Sequence, residues 1–137
     1  MNFGRVFLGG LLAGLILNIG EFVLNTKVLG PQMMAFFSQH GFKDPGSNFI
    51  IVAVVMTFLL GIVAVWLYAL IRPRMGPGVK TAIVAALILW FAVYLYTGVI
   101  NMFMFAIPMN MMIIGFVWGL VEYIIATIAG AWLYTEA

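Results

Sequence analysis

The chain has 137 residues, of which 66% are hydrophobic and 7% charged, and its formal net charge is +2. An ordinary soluble domain carries roughly a quarter charged residues, so water is excluded as the main solvent and a separate soluble catalytic domain has no room. Six basic side chains without a clustered basic face exclude nucleic-acid binding, and the absence of cysteine excludes disulfides, thiolate metal sites and iron–sulfur clusters.

At roughly 20 apolar residues per crossing, residues 1–137 predict a single all-α domain, an integral membrane four-helix transmembrane bundle. The first span is expected at 6–24, opened by Arg5 and closed before Lys27 and Gly30-Pro31. It reads as a retained helix and not a secretory signal, because no small-x-small cleavage site follows and the run stays apolar past Asn18-Ile19-Gly20-Glu21. In the connection 31–48, Met33, Met34, Phe36 and Phe37 alternate with Gln32, Ser38, Gln39 and His40. That pattern predicts a short helix lying in the outer interface between spans one and two, broken by Gly41. The uncharged stretch 45–71 supplies the second span at 49–71, and Arg72-Pro73-Arg74-Met75-Gly76-Pro77-Gly78 reads as a turn. Residues 81–121 form an uncharged stretch of 41, too long for one crossing. A turn around Asn101 to Asn110, where Pro108 removes a donor, gives a third span at 81–100 and a fourth at 109–133.

Arg5, Arg72, Arg74 and Lys80 fall on one side of these spans, Lys27 and Lys43 on the other. The positive-inside rule makes the first side, with both termini, cytoplasmic, and the expected location is a bacterial inner membrane. Trp66, Tyr68, Trp132 and Tyr134 fall near the inner boundary, where aromatic residues anchor at headgroup level.

Polar and small residues form stripes. In span one Gly10, Gly14, Asn18, Glu21 and Asn25 share a face; in span four Gly115, Gly119, Glu122, Ala126 and Gly130 repeat nearly the same spacing. Span two offers Ala53, Thr57, Gly61, Ala64 and Tyr68, and span three Ala86, Trp90, Tyr94, Thr97 and Asn101. Gly10, Gly14, Gly115, Gly119 and Gly130 are therefore candidate helix-packing positions, since small residues let backbones approach in lipid.

Counted at about 1.5 Å per residue, Glu21 lies about 24 Å and Glu122 about 18 Å from the inner ends of their helices, so the two acids can meet. An ionised carboxylate in the bilayer core costs at least roughly 2.5 kcal/mol, and no Lys or Arg inside a span pairs with either. The acids must be protonated, hydrogen-bonded to Asn18, Asn25, Asn101 or a tyrosine, or open to a wet cavity. Glu21, Glu122, Asn18, Asn25 and Asn101 are accordingly the candidate proton or solute pathway; the competing interpretation makes the glutamates interhelical glue.

Seven of the ten methionines fall at the predicted outer face, and Met102/Met104 and Met109/Met111 have the Met-x-Met spacing of soft Cu(I) ligands. Methionine more often fills apolar gaps, so no cofactor is expected. His40 stands alone as a histidine, which leaves no ligand set for a histidine-bound metal. No phosphate-cradling loop and no Ser–His–acid set is present, and an enzyme is not expected.

The acidic turn Asn18-Ile19-Gly20-Glu21-Phe22, the aromatic loop Met33-Met34-Ala35-Phe36-Phe37 and three further spans resemble the small four-helix bacterial membrane proteins grouped as domains of unknown function. The resemblance is one of architecture and covers most of the chain. Small multidrug transporters are similar in placing a glutamate in the first helix, but the long first connection here departs from theirs. Together these features predict a small non-enzymatic membrane protein that couples proton release to movement of a small solute or ion. The expected partners are the lipid bilayer and either a homo-oligomer or a larger membrane complex. The alternative is an accessory subunit of a respiratory or photosynthetic assembly.

Overall fold

The computed structural model describes residues 1–43 and 46–136; Asp44 and Pro45, part of the expected first connection, lie outside the described residues. The described chain is helical: α1 (Phe3–Val28), α2 (Gly30–His40), α3 (Gly46–Met75), α4 (Val79–Phe105) and α5 (Met109–Leu133). All but α2 are apolar enough to cross a membrane, at 26, 30, 27 and 25 residues. At about 1.5 Å rise per residue each exceeds a hydrocarbon core about 30 Å thick. The protein is a multi-pass helical membrane bundle.

The four long helices run alternately up and down, with α1 packed on α3 and α5, and α4 on α3 and α5. Short connections enforce that order between α3, α4 and α5, and the contacts of Gly10 with Ile62 and of Gly14 with Phe58 run α1 antiparallel to α3. Between α3 and α4 the turn is tied back twice: the Gly78 amide donates to the Tyr68 hydroxyl (3.1 Å), and the Thr81 hydroxyl to the Gly76 carbonyl (2.6 Å). The last turn comes later and is tighter than expected, because α4 continues through Asn101 to Phe105 before Ala106 takes a left-handed φ of 53° and Pro108 caps α5. Backbone groups left open in hydrocarbon are costly, so the apolar run Met102–Phe105 stays helical.

Two π-helical turns interrupt the regular pitch, Leu24–Val28 at the end of α1 and Phe91–Tyr96 within α4. The wider turn leaves an i−4 carbonyl without its usual amide, and side chains take over: Asn25 donates to the Glu21 carbonyl (2.8 Å), Thr26 to Phe22 (2.5 Å), and Thr97 to Val93. In α4 the extra residue also rotates the face downstream. The inward line from Tyr94 runs through half-buried Gly98 and Met102, whereas Thr97 and Asn101 turn outward and are exposed.

The bundle interior is built of small side chains: Ala13, Ala64, Ala69, Ala82, Ala85, Ala86 and Ala126 are all buried, with Leu17 and Val65 filling between them. A Cβ on Gly10 would meet the backbone of Ile62, one on Gly14 that of Phe58, and one on Gly130 the Gly9 carbonyl, so α1 lies in backbone contact with α3 and α5. Gly119 receives the ring of Tyr94. Gly115 does not pack: nothing lies within 4 Å of a Cβ built there. Large side chains such as Phe7, Leu15, Ile50 and Phe103 point outward, an arrangement that lipid solvates and water does not.

At the end carrying both termini, Tyr68 and Tyr134 are buried edge to face (centroids 6.0 Å, 83°) and close the bundle floor. Tyr68 takes the inward place its stripe predicts, and of the four inner aromatics Trp66 and Trp132 are the exposed pair. Glu136 accepts from the Tyr134 hydroxyl (2.8 Å) and pairs with Arg72 (3.5 Å), joining the start of α1, the end of α3 and the tail of α5. At the opposite end α2 begins with Pro31 in its first turn, stops at left-handed Gly41 (φ 72°), and buries Phe36.

Candidate functional site

Glu21 stands in α1 three residues before the π turn, and Glu122 in the middle of α5. Helical Cα–Cβ bonds tilt toward the helix N-terminus, so in these antiparallel helices Glu21 reaches toward the floor and Glu122 away from it. The carboxyls converge although their backbones lie at different depths. Gly20 makes the approach possible: a Cβ there would lie 2.6 Å from Glu122 Oε1.

The two acids are served unequally. Glu21 is half-buried; its Oε1 accepts from the Tyr94 hydroxyl of α4, and its Oε2 from Asn25 Nδ2 at 3.2 Å. Glu122 is 6% exposed, and neither of its oxygens has a hydrogen-bond partner in the described chain. Glu21 is the charged neighbour that acts on it. Two ionised carboxylates are both acceptors, so contact between them becomes a hydrogen bond only when one carries a proton.

Tyrosines wall this pair. Tyr94 and Tyr123 stack edge to face (centroids 5.3 Å, 85°), and both lie within electrostatic reach of Glu21 and Glu122. Trp118 clamps α5 to α1 by donating to the Gly20 carbonyl at 3.0 Å, and Trp90 clamps α4 to α5 by donating to Phe116 at 2.9 Å. The ion pairs among the described residues both involve Glu136 and lie at the floor, away from the glutamates.

Beside Glu122 a groove of about 680 Å³ runs between α1 and α5, lined by Ile16, Ile19, Ile113, Val117, Trp118 and Val121 among others. Its rim residues Ile19, Ile113 and Val117 are exposed within the spans, so it opens sideways, toward the space that lipid fills.

Of the residues expected at the site, the fold brings together Glu21, Glu122 and Asn25. Asn18 belongs elsewhere, donating to the Gly14 carbonyl (3.0 Å) and the Val54 carbonyl (3.4 Å), where it ties α1 to α3. Asn101 is exposed, carried off the inward line by the π turn. Both Met-x-Met pairs lie within helices, where i and i+2 side chains diverge; Met102 is half-buried, Met104 and Met109 are exposed and Met111 is buried, so neither pair converges on an ion. Among the described residues no group of three or more His, Asp or Glu side chains is placed to hold a metal.

Tyr123, Gly20 and Trp118 complete the site and escaped the sequence reading. The adjacency of Tyr123 to Glu122 and of Gly20 to Glu21 was the available signal. These features define a class, an up-and-down four-helix membrane bundle with a tyrosine-walled carboxyl pair at its interior. No family model, no curated protein and no solved structure matches the chain.

Proposed function

We propose that this protein is a small non-enzymatic carrier in which Glu21 and Glu122 share one exchangeable proton and couple its release to movement of a small solute or ion. The single observation behind this reading is the buried, unpartnered carboxyl of Glu122 beside a Glu21 that already holds two donors. With one proton between them the pair forms a carboxyl–carboxylate hydrogen bond and carries one negative charge, which Tyr94 and Asn25 stabilise on Glu21. Loss of that proton leaves two facing carboxylates, a state that calls for a cationic guest or water.

In this reading the floor with Arg5, Arg72, Arg74, Lys80 and both termini faces the cytoplasm of a bacterial cell, by the positive-inside rule. Helix α2, with Phe36 turned inward and Gln32, Ser38 and Gln39 outward, lies in the outer interface of the inner membrane. The lipid bilayer is one partner, and a second copy of the chain supplies the homo-oligomer.

Purified protein in liposomes, with a pH-sensitive dye inside, tests the proposal. A pH gradient is expected to drive solute-dependent proton movement, and Glu21→Gln and Glu122→Gln, which keep side-chain shape, are each expected to abolish it. Proton movement unchanged in both variants refutes the carrier reading and leaves the accessory-subunit alternative, which co-purification of a larger complex would support.

A further inference from the structure

We infer that the groove between α1 and α5 is a binding site for an apolar molecule bearing a protonated amine, whose nitrogen seats on Glu122. The inference deepens the carrier reading, on which it rests, by naming the chemical class of the solute.

Three observations carry it. The walls are branched aliphatic side chains, which favour an apolar body, and the groove opens sideways between membrane-crossing helices, so its ligand arrives from lipid. Glu122 lines the groove, 94% buried, and neither of its oxygens receives a hydrogen bond from an amide, hydroxyl or indole donor. The other polar lining side chain, Trp118, has already given its N–H to the Gly20 carbonyl, so nothing in the wall can satisfy the carboxyl.

The chemistry of the gap selects the head of the ligand. A lipid acyl chain fills the walls but brings the carboxyl no donor, and an alcohol brings one donor and no charge. A metal ion would find Glu21 as one further carboxylate but no other oxygen ligands in walls of isoleucine and valine, too few for a hard cation. A protonated amine brings several donors and the compensating positive charge, in a dry setting where a charge-assisted hydrogen bond is strong. On binding, the Glu122 carboxylic acid loses its proton to solvent as the ammonium head takes its place, so one proton leaves for each amine that enters.

The cysteine-free chain allows a direct test. Val117→Cys places a single thiol on the exposed rim of the groove, and Val55→Cys places one on α3, outside it. Both proteins, in lipid nanodiscs, are labelled with an apolar thiol reagent in the presence of adamantylamine, adamantanol or adamantane carboxylate. The amine is expected to slow labelling at position 117 about tenfold more than the alcohol does, the worth of one hydrogen bond to a charged group, with no such preference at position 55. Glu122→Gln is expected to erase the preference.

Equal protection by amine and alcohol overturns the inference, and because that comparison is made with Glu122 intact it does not depend on the folding of the Gln variant. Stronger protection by the carboxylate overturns it too, as does a disulfide between two Val117→Cys copies, which would make a second copy the occupant. Amine protection without proton release keeps the site and removes the carrier; proton release without amine preference does the reverse.

Discussion

Gly61 is where the packing geometry is most exposed to test. A Cβ placed there would sit 2.6 Å from both the Gly10 carbonyl oxygen and Gly14 Cα, with the Gly14 nitrogen nearer still. These are backbone atoms of a continuous helix, so no rotamer change relieves the overlap. Because the Gly14 nitrogen is the nearest of them, restoring ordinary contact at 3.4 Å or more requires α1 and α3 to separate by about 1.1 Å. Such overpacking costs roughly 1–3 kcal/mol, partly offset by the roughly 0.5–1 kcal/mol that alanine gains over glycine in a helix. Gly61→Ala is therefore expected to destabilise the bundle by about 1–2 kcal/mol. Gly115→Ala meets open space and is expected to be neutral or to stabilise by up to about 1 kcal/mol. Both are measured by SDS-driven unfolding in mixed micelles, followed by tryptophan emission. A Gly61→Ala protein as stable as Gly115→Ala would refute the close approach of α1 and α3.

Tyr94→Phe removes the donor to Glu21 Oε1 and is expected to cost about 1–2 kcal/mol in the same unfolding assay, and combined with Glu21→Gln it is expected to cost less than the sum of the two single changes, because both remove the Tyr94–Glu21 hydrogen bond. At the floor, burial holds the Tyr134 hydroxyl above the usual tyrosine range, with Glu136 adding to the effect. The unfolded chain releases that proton first, near pH ~10, so this contribution to stability is complete below that pH and is lost as pH rises further. Tyr134→Phe is expected to flatten the alkaline limb of a stability–pH curve; an unchanged slope would assign it to another group.

Much of the bundle was legible because lipid imposes a simple rule. Runs of apolar residues of spanning length, cut by Lys27, Arg72, Lys80 and Pro108, must be helices that satisfy their own backbone. What the pattern could not convey was local pitch. Asn101 follows Tyr94 by seven residues and belongs on its face in a regular helix, yet the π turn at Phe91–Tyr96 inserts a residue and transfers that face to Gly98 and Met102. Asn18 was misassigned for a different reason, since sharing a stripe with Glu21 says nothing of which neighbour each residue meets, and Asn18 meets α3. The groove was illegible because isoleucine and valine facing a cavity and the same residues facing lipid produce one pattern.

The distinction between carrier and glue reduces to what Glu122 contributes to folding. Glue works by pairing donors with acceptors, and two carboxyls offer a single donor, the shared proton, where an amide pair would offer both kinds of group on each side. Glu21 has its donors from Tyr94 and Asn25, so its place is compatible with a structural role. Glu122 has no donor beyond the proton it shares with Glu21, and an oxygen left unsatisfied in a buried site costs roughly 1–3 kcal/mol. A leucine of similar bulk at this position would remove that cost and pack against the isoleucine and valine of the groove. Glu122→Leu is therefore expected to unfold at a higher SDS fraction than the natural chain, by about 1 kcal/mol or more, while losing proton release and amine discrimination. A less stable leucine variant would make Glu122 a structural residue and take from the carrier reading its main support.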